Sequence, residues 1–473
     1  MALPPDHVVD ELRSVLDDRA VLVGDDTESF LVDQRQARLA ATADAVVVRP
    51  ADTAGVAAAV TVCAAHGVAI VPHGGNTGLS LGTILPTDRP AILLSLSRLN
   101  QITSVDPDRW TLTAQAGVTI EAVQERAKSV DRLFAPDWGA RGTATVGGAI
   151  STDAGGNNVL RYGNMRDNVM GLEVVLPDGQ IWDGRRALIK DSSGPDLKHL
   201  FIGGEGTLGI VTSAVLKLHP STRFETSVLG AISGLDAISP LVELAHRHAP
   251  GAVTAFELLP DVAMNQVGAV FGVTKPIDAG TEYAVLVKLA ASTPVDDRVA
   301  AFLDAAVEAG LIVDAVVAGT PEQESQLWAL RDHASPTQCF PGLQQHGLKY
   351  DTAVPVDRIA EFVTRANETA RRIAPMALAY GFGHVGDGNI HFWVIPTSED
   401  AVEPFAAVRA DVERAVDEVV FELGGTLSAE HGVGQLLRDR IGAQKPDLEW
   451  ALMRSIKATL DPQNLLNPDV LLP

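Results

Sequence analysis

Cysteine is scarce: Cys63 and Cys339 are the only two in 473 residues. They lie far apart and in neither a C-x-x-C nor another metal-type spacing, which argues against a disulfide framework. Two buried thiols in a reducing compartment, the cytoplasm, are the expectation. Basic charge is also short, with 37 Lys plus Arg against 60 Asp plus Glu and a net charge of −23. Such a surface repels phosphate backbones and anionic bilayers, so neither nucleic acid nor a polybasic membrane contact is expected. An anionic small molecule then needs a local basic pocket. No basic stretch followed by an apolar run, as a signal peptide requires, opens the chain, and the first residues read as a helix start. The longest apolar stretch, from Ala54 to Val71, is broken by His66-Gly67 into a helix and a strand, so no membrane span is expected. Internal repeats, low-complexity tracts and a G-x-x-x-x-G-K-[ST] loop are all missing, the last of which removes an ATPase of that type.

What is present, at 46% hydrophobic, is enough apolar residue for a large core and two or three domains. Residues 45–72 read as strand, helix (Thr53 to His66) and strand, running into Pro72-His-Gly-Gly-Asn-Thr-Gly78. From 91 to 218, short β-branched runs alternate with glycine-rich loops and little helix. Beyond Pro220 the order is strand 227–232, helix 235–247, strands 252–259 and 282–289, helix 296–309 and strand 312–317. That is the β-α-β-β-α-β sequence of a ferredoxin-like unit. Helices follow at about 321–334, 356–373 and 402–423. The fold class is α+β, with a domain boundary near 220 and a turn-rich tail that packs back on the body.

Three glycine loops, Pro72–Gly82, Arg141–Gly156 and Gly203–Gly209, fall in the first domain. Glycine lets backbone N–H groups cradle an anion without lysine, which suits a dinucleotide in so acidic a chain; tight turns between strands are the alternative. Gly204-Glu-Gly206-Thr-Leu-Gly209 matches G-x-G-x-x-G, but a β-branched run follows where a dinucleotide fingerprint opens a helix, so a Rossmann NAD site is rejected.

Further on, Tyr380-Gly-Phe-Gly-His384-Val-Gly-Asp387-Gly388-Asn389-Ile-His391 places Asp-Gly midway between two histidines. With Asp387-Gly388 as a two-residue type I′ loop, His384 pairs directly with His391. Opposed residues have Cβ atoms roughly 5 Å apart, close enough to share one ion, and Asn389 projects from the same face as His391. The alternative is a hairpin with two hydrogen-bonded histidines. Ser428-Ala-Glu430-His431-Gly432-Val-Gly434 sets a carboxylate beside an imidazole: Glu430 suits a third metal ligand and His431 a general base, unless both are merely solvated. Arg331, Ser335 and Lys349 lie in a stretch whose Arg fork and Lys charge suit a dicarboxylate, or are ordinary surface cations.

Together, Pro72–Gly78, Phe201–Ile210, Gly383–His391 and Ser428–Gly434 resemble the FAD-linked D-2-hydroxyacid dehydrogenases of the vanillyl-alcohol oxidase and p-cresol methylhydroxylase superfamily, most closely members acting on D-2-hydroxyglutarate. The resemblance spans 45–470. It implies a two-part FAD-binding domain of the p-cresol methylhydroxylase (PCMH) type (1–220), a ferredoxin-like substrate or cap domain (221–423) and a C-terminal helical segment at the flavin site (424–473). Noncovalent FAD is implied on Gly74, Gly75, Asn76, Thr77 and Gly78 at the pyrophosphate, with Gly142, Thr145, Gly148, Thr152 and Ile210 along the rest. A divalent metal, zinc, is implied on His384, His391 and Glu430, with His431 as catalytic base. Arg331, Ser335, Lys349 and Asn389 are the implied substrate contacts. Position 335 departs from the family, whose residue there is threonine. The expected reaction converts a D-2-hydroxy acid to the 2-oxo acid and hands electrons to an electron-transfer flavoprotein or quinone. Lys349 favours 2-hydroxyglutarate over D-lactate, whose methyl needs no second cation. A homodimer is the expected assembly. A two-His-one-carboxylate non-haem oxygenase or hydrolase, and a nucleotide-binding scaffold without turnover, are the rivals.

Overall fold

The computed structural model describes residues 3–32, 45–278, 280–442 and 444–472. The chain forms two compact units, one of residues 1–156, 163–220 and 430–473, the other of 157–162 and 221–429.

Among the described residues the first unit holds two larger sheets and a two-stranded ribbon of Arg132–Leu133 with His219–Pro220. In one, the parallel strands Val46–Val48, Ala91–Ser95 and Ala69–His73 lie side by side with Val21–Val23 antiparallel at the outer edge. The helix Thr53–His66 makes the crossover. Its ends follow from the sequence: Asp52 accepts the Gly55 N–H at 2.8 Å as N-cap, and Gly67 closes it at φ 63°. Val56, Val60 and Cys63 on this helix bury against Ile70, Ile92 and Leu94. The other sheet is antiparallel, in the order Ile102–Asp106, Thr111–Gln115, Ile210–Lys217, Val169–Val175, Ile181–Asp183. The strand Ile210–Lys217 begins directly after the G-x-G-x-x-G match, in the place where a dinucleotide fingerprint has a helix.

Helices were undercounted here. Ile120–Lys128 and Val146–Thr152 are both helical, each with a threonine N-cap (Thr119, Thr145). The second lies inside the Arg141–Gly156 stretch expected to be a glycine loop. Glycine is tolerated there because the helix presses on its neighbour: a Cβ on Gly147 would stand 2.8 Å from the Ala116 Cβ.

The second unit is built on a seven-stranded antiparallel sheet. Its first four strands, in the order Ile312–Val317, Phe224–Ile232, Tyr283–Ala291, Val253–Pro260, are the ferredoxin-like 4-1-3-2 arrangement, with helices Ile238–His248 and Asp296–Glu308 as connections. An additional helix, Asp261–Phe271, falls between the second and third strands. The sheet continues through Ala377–His384, Asn389–Pro396 and Leu348–Ala353.

The hairpin register differs from the expected one. Phe382, not His384, pairs with His391, and His384 is opposite Glu257 on the neighbouring strand. Between the strands lie four residues, 385–388, and of the Asp-Gly pair only Gly388 has positive φ (91°). Gly388 answers a different demand: a Cβ there would lie 2.1 Å from the Val354 carbonyl oxygen of an adjacent segment. A shift of two residues leaves each side chain on its original face, so the histidines still share one.

The tail docks on the first unit. Leu466 bridges Ile70 at the open edge of the parallel sheet, through Ile70 N–H to Leu465 O (2.8 Å) and Asn467 N–H to Ile70 O (2.8 Å), covering an edge that would otherwise be exposed. Lys457 of helix Asp447–Leu460 locks it, donating to Thr207 O (2.8 Å), Leu466 O (2.8 Å) and buried Asp461 (2.5 Å). Burial pulls the Lys457 pKa down, against the pull of Asp461. Lys457→Met should therefore cost about 3–5 kcal/mol, because it strands a buried carboxylate. Lys445→Met, removing an exposed pair with Glu449, should cost under about 1 kcal/mol. Equal shifts in the urea midpoint for the two variants would refute the locking role.

Candidate functional site

A cavity of about 400 Å³ opens in the first unit, a volume typical of a small-molecule site. Gly74, Gly75, Asn76, Thr77, Gly78, Thr145, Gly148, Thr152 and Ile210 line it, as do Glu430 and His431; Gly142 lies outside the lining. The loop after strand Ala69–His73 and the N-terminal turn of helix Val146–Thr152 are pressed together. A Cβ on Gly75 would stand 1.9 Å from the Thr143 carbonyl oxygen, so no other residue fits without moving backbone.

The loop carrying Glu430 and His431 is held by residues that sequence reasoning passed over. Glu205, inside the rejected G-x-G-x-x-G match, accepts the N–H groups of Val433 (2.7 Å) and Gly434 (2.8 Å). Burial raises its pKa, and those two N–H groups act in the opposite direction. Ser80 donates to the carbonyls of His431 and Gly432, at 2.9 and 2.8 Å, and Gly156 N–H donates to Glu430 Oε1 at 2.9 Å. Asn467 donates to the carbonyls of Gly82 and Glu205 from the cavity wall. A lone acidic residue between glycines was the available signal for Glu205.

His73 also lines this cavity, 5% exposed, with neither ring nitrogen hydrogen-bonded among the described residues. Burial pushes its pKa down to about 4.

In the second unit, one sheet face gathers the polar side chains. Register pairs Glu257 with His384, Phe382 with His391, Asp351 with His391 and Lys349 with Trp393. By the period of two, Lys349, Asp351, Asn389, His391, His384 and Glu257 therefore point the same way. His384 and His391 are 5% and 9% exposed, with ring centroids 5.4 Å apart at 80°. His384 Nδ1 lies 2.6 Å from Glu257 Oε1, and its Nε2 lies 3.1 Å from Arg331 Nη2. Arg331 Nε donates to Glu257 Oε2 at 2.6 Å. Burial alone would raise the Glu257 pKa, but His384 and Arg331 outweigh it and hold the carboxyl at about 2. His391 Nδ1 is 3.5 Å from Asp351 Oδ1, and Asn389 Nδ2 donates to Asp351 and to Thr352 O, both at 3.0 Å. The Lys349 ammonium lies 5.5 Å from the Trp393 ring centroid. Ser335 stands apart from these contacts, its hydroxyl 2.6 Å from that of Thr337. Glu257 and Asp351 were missed; a single acid within an apolar strand (Val253–Pro260) was the signal for the first.

Residues 228–471 match the family FAD linked oxidases, C-terminal domain, and 44–185 match the FAD binding domain. A D-2-hydroxyglutarate dehydrogenase of Danio rerio, named as mitochondrial, is 36% identical over 438 residues, 90% of this chain and 78% of that protein. One from Xanthomonas citri is 35% identical over 405 residues, 85% and 84% of the two chains. In fold, p-cresol methylhydroxylase with substrate bound superposes at TM-score 0.72 and 16% identity, covering 98% of this chain and 96% of that one. The chain thus belongs to the FAD-linked oxidases, with a PCMH-type flavin-binding domain, and is an FAD-dependent oxidoreductase. The glycine cradle and cavity of the first unit fit that cofactor. Among the described residues, no helix is long and apolar enough to cross a membrane.

Two consequences are measurable. Gly75→Ala should abolish copurification of flavin, read as the ratio of 450 to 280 nm absorbance; a fully yellow variant would refute the close-approach argument. The depressed His73 pKa contributes stability that is present above the unfolded value near 6.5 and lost as pH falls toward 4. Between pH 7.5 and 5, flavin-free wild type should therefore lose about 2 kcal/mol more than His73→Leu. Parallel pH profiles would show that His73 is not buried neutral.

Proposed function

We propose that the protein oxidises D-2-hydroxyglutarate, a D-2-hydroxy acid, to its 2-oxo acid. The observation that carries this reading is the sheet face on which Lys349 joins His384 and His391, with Arg331 held beside them. Two cations near two imidazoles suit a substrate with a carboxylate at each end, and relatives at 36% and 35% identity bear that substrate in their names. Arg331 and Lys349 bind the carboxylates, with Asn389 and Ser335 as polar contacts. His431 takes the hydroxyl proton.

FAD, when bound, would supply the two-electron acceptor, with N5 as the proposed site for the C2 hydride. A divalent ion on His384, His391 and Glu430, zinc in this proposal, would make the substrate hydroxyl more acidic. The chemistry of the donors favours such an ion: two imidazoles with ring centroids 5.4 Å apart on one sheet face, together with a carboxylate, are the ligand types zinc takes. Reoxidation needs a separate acceptor, an electron-transfer flavoprotein or a quinone. Both cysteines are free and buried, which favours a reducing compartment.

Under anaerobic conditions D-2-hydroxyglutarate should bleach the flavin at 450 nm, and the L isomer should not. No bleaching by any 2-hydroxy acid would sink the proposal. Lys349→Ala should lower kcat/KM for 2-hydroxyglutarate by about 10–100-fold, the loss of one charge-assisted hydrogen bond. It should leave D-lactate turnover nearly unchanged. Equal losses on both substrates would remove Lys349 as the selector.

A further inference from the structure

Glu257 is fully buried and has a different partner on each oxygen: Oε1 lies 2.6 Å from His384 Nδ1, and Oε2 lies 2.6 Å from Arg331 Nε. Its place is set by the backbone, because Glu257 and His384 are directly opposed on neighbouring strands. The proton on His384 can be placed by elimination. A guanidinium only donates, so Arg331 Nη2, 3.1 Å from His384 Nε2, is directed at a lone pair there. The ring hydrogen is then on Nδ1 and is donated to Glu257.

We infer that Glu257 is a positioning residue: it fixes His384 as the Nδ1–H tautomer, so that Nε2 keeps a lone pair that Arg331 Nη2 occupies here and that a divalent cation would take by displacing that one hydrogen bond, while Arg331 stays tethered to Glu257 through Nε. The inference rests on the reading of His384 as a metal ligand and deepens it. An imidazole that donates its second N–H to a carboxylate is held in orientation and made a stronger donor to the metal. Glutamine has the same shape but fails both tasks at once. It has one carbonyl oxygen for two donors, and its amide N–H groups must face either His384 Nδ1–H or the guanidinium.

The test is zinc titration by calorimetry of the metal-stripped, flavin-loaded protein, with the 450 nm absorbance and the unfolding midpoint recorded for every variant. Glu257→Gln should bind zinc about 10–100-fold more weakly than wild type. Glu257→Asp, which keeps the charge, should recover part of that loss. If Glu257→Gln binds as tightly as wild type while His391→Ala loses the metal, Glu257 has no positioning role and the metal reading survives. If wild type itself takes up no zinc, the metal reading fails and the inference falls with it. Should Glu257→Gln unfold because Arg331 is left without its buried counter-charge, the comparison moves to Arg331→Met with and without Glu257→Gln. A tenfold or larger weakening from the added Gln supports the role, and equal affinities overturn it.

Discussion

The second unit is organised around a buried carboxylate that satisfies an imidazole and a guanidinium simultaneously. Glu257, His384 and Arg331 lie together inside the sheet, and ions buried this deeply are sustained only when every partner is present. Removing one partner of such a set costs about 3–5 kcal/mol, whereas an exposed pair contributes at most about 1. The constraint reaches back to topology. Val253–Pro260 is a strand of the ferredoxin-like unit, Ala377–His384 belongs to the extension that follows it, and their ladder includes the Glu257–His384 pair. A sheet lacking that extension would hold Glu257 without its hydrogen bond to His384 Nδ1.

The first unit solves a different problem, making room for an anionic cofactor in a chain of net charge −23. It does so with backbone. The loop at Gly74 and Gly75 approaches Thr143 and Thr145 so closely that side chains are excluded, and a loop of that kind can offer an anion its backbone N–H groups in place of lysine. The tail completes the wall through Asn467, and Lys457 keeps the tail in place. Screening limits repulsion between separated surface charges to about 8 Å at physiological salt. Local dipoles therefore decide binding more than the overall charge does.

Much of this was legible. The helix Thr53–His66 was readable from its alanine-rich run and its closing glycine, and the ferredoxin-like order was readable from alternating β-branched and helical stretches. What failed were readings that treated a short glycine pattern as local when its cause was distant. Asp387-Gly388 read as a two-residue turn, but Gly388 is glycine because Val354 crosses it. The Arg141–Gly156 stretch read as loop, yet Gly147 lies within a helix that needs Ala116 close by. The face shared by the two histidines survived the register error because the shift was an even number of residues. Glu205 and Glu257 escaped notice for a related reason: each is a single acid whose partners come from far along the chain, and no spacing rule reaches that distance.

Those two glutamates show how one physical cost, desolvation, is met in two ways. Glu205 is answered by the N–H groups of Val433 and Gly434, and its pKa is raised. Glu257 is answered by an imidazole and a guanidinium, and its pKa is lowered to about 2. Neutral dipoles give geometry without repaying the full cost of burying charge, whereas a cation such as the Arg331 guanidinium repays it and commits the group to its ionised form. The difference matches what each glutamate holds. Glu205 fixes a stretch of backbone and needs only neutral N–H donors, one for each oxygen. Glu257 also accepts on both oxygens, but one of its donors is the Arg331 guanidinium, whose charge holds the carboxylate ionised.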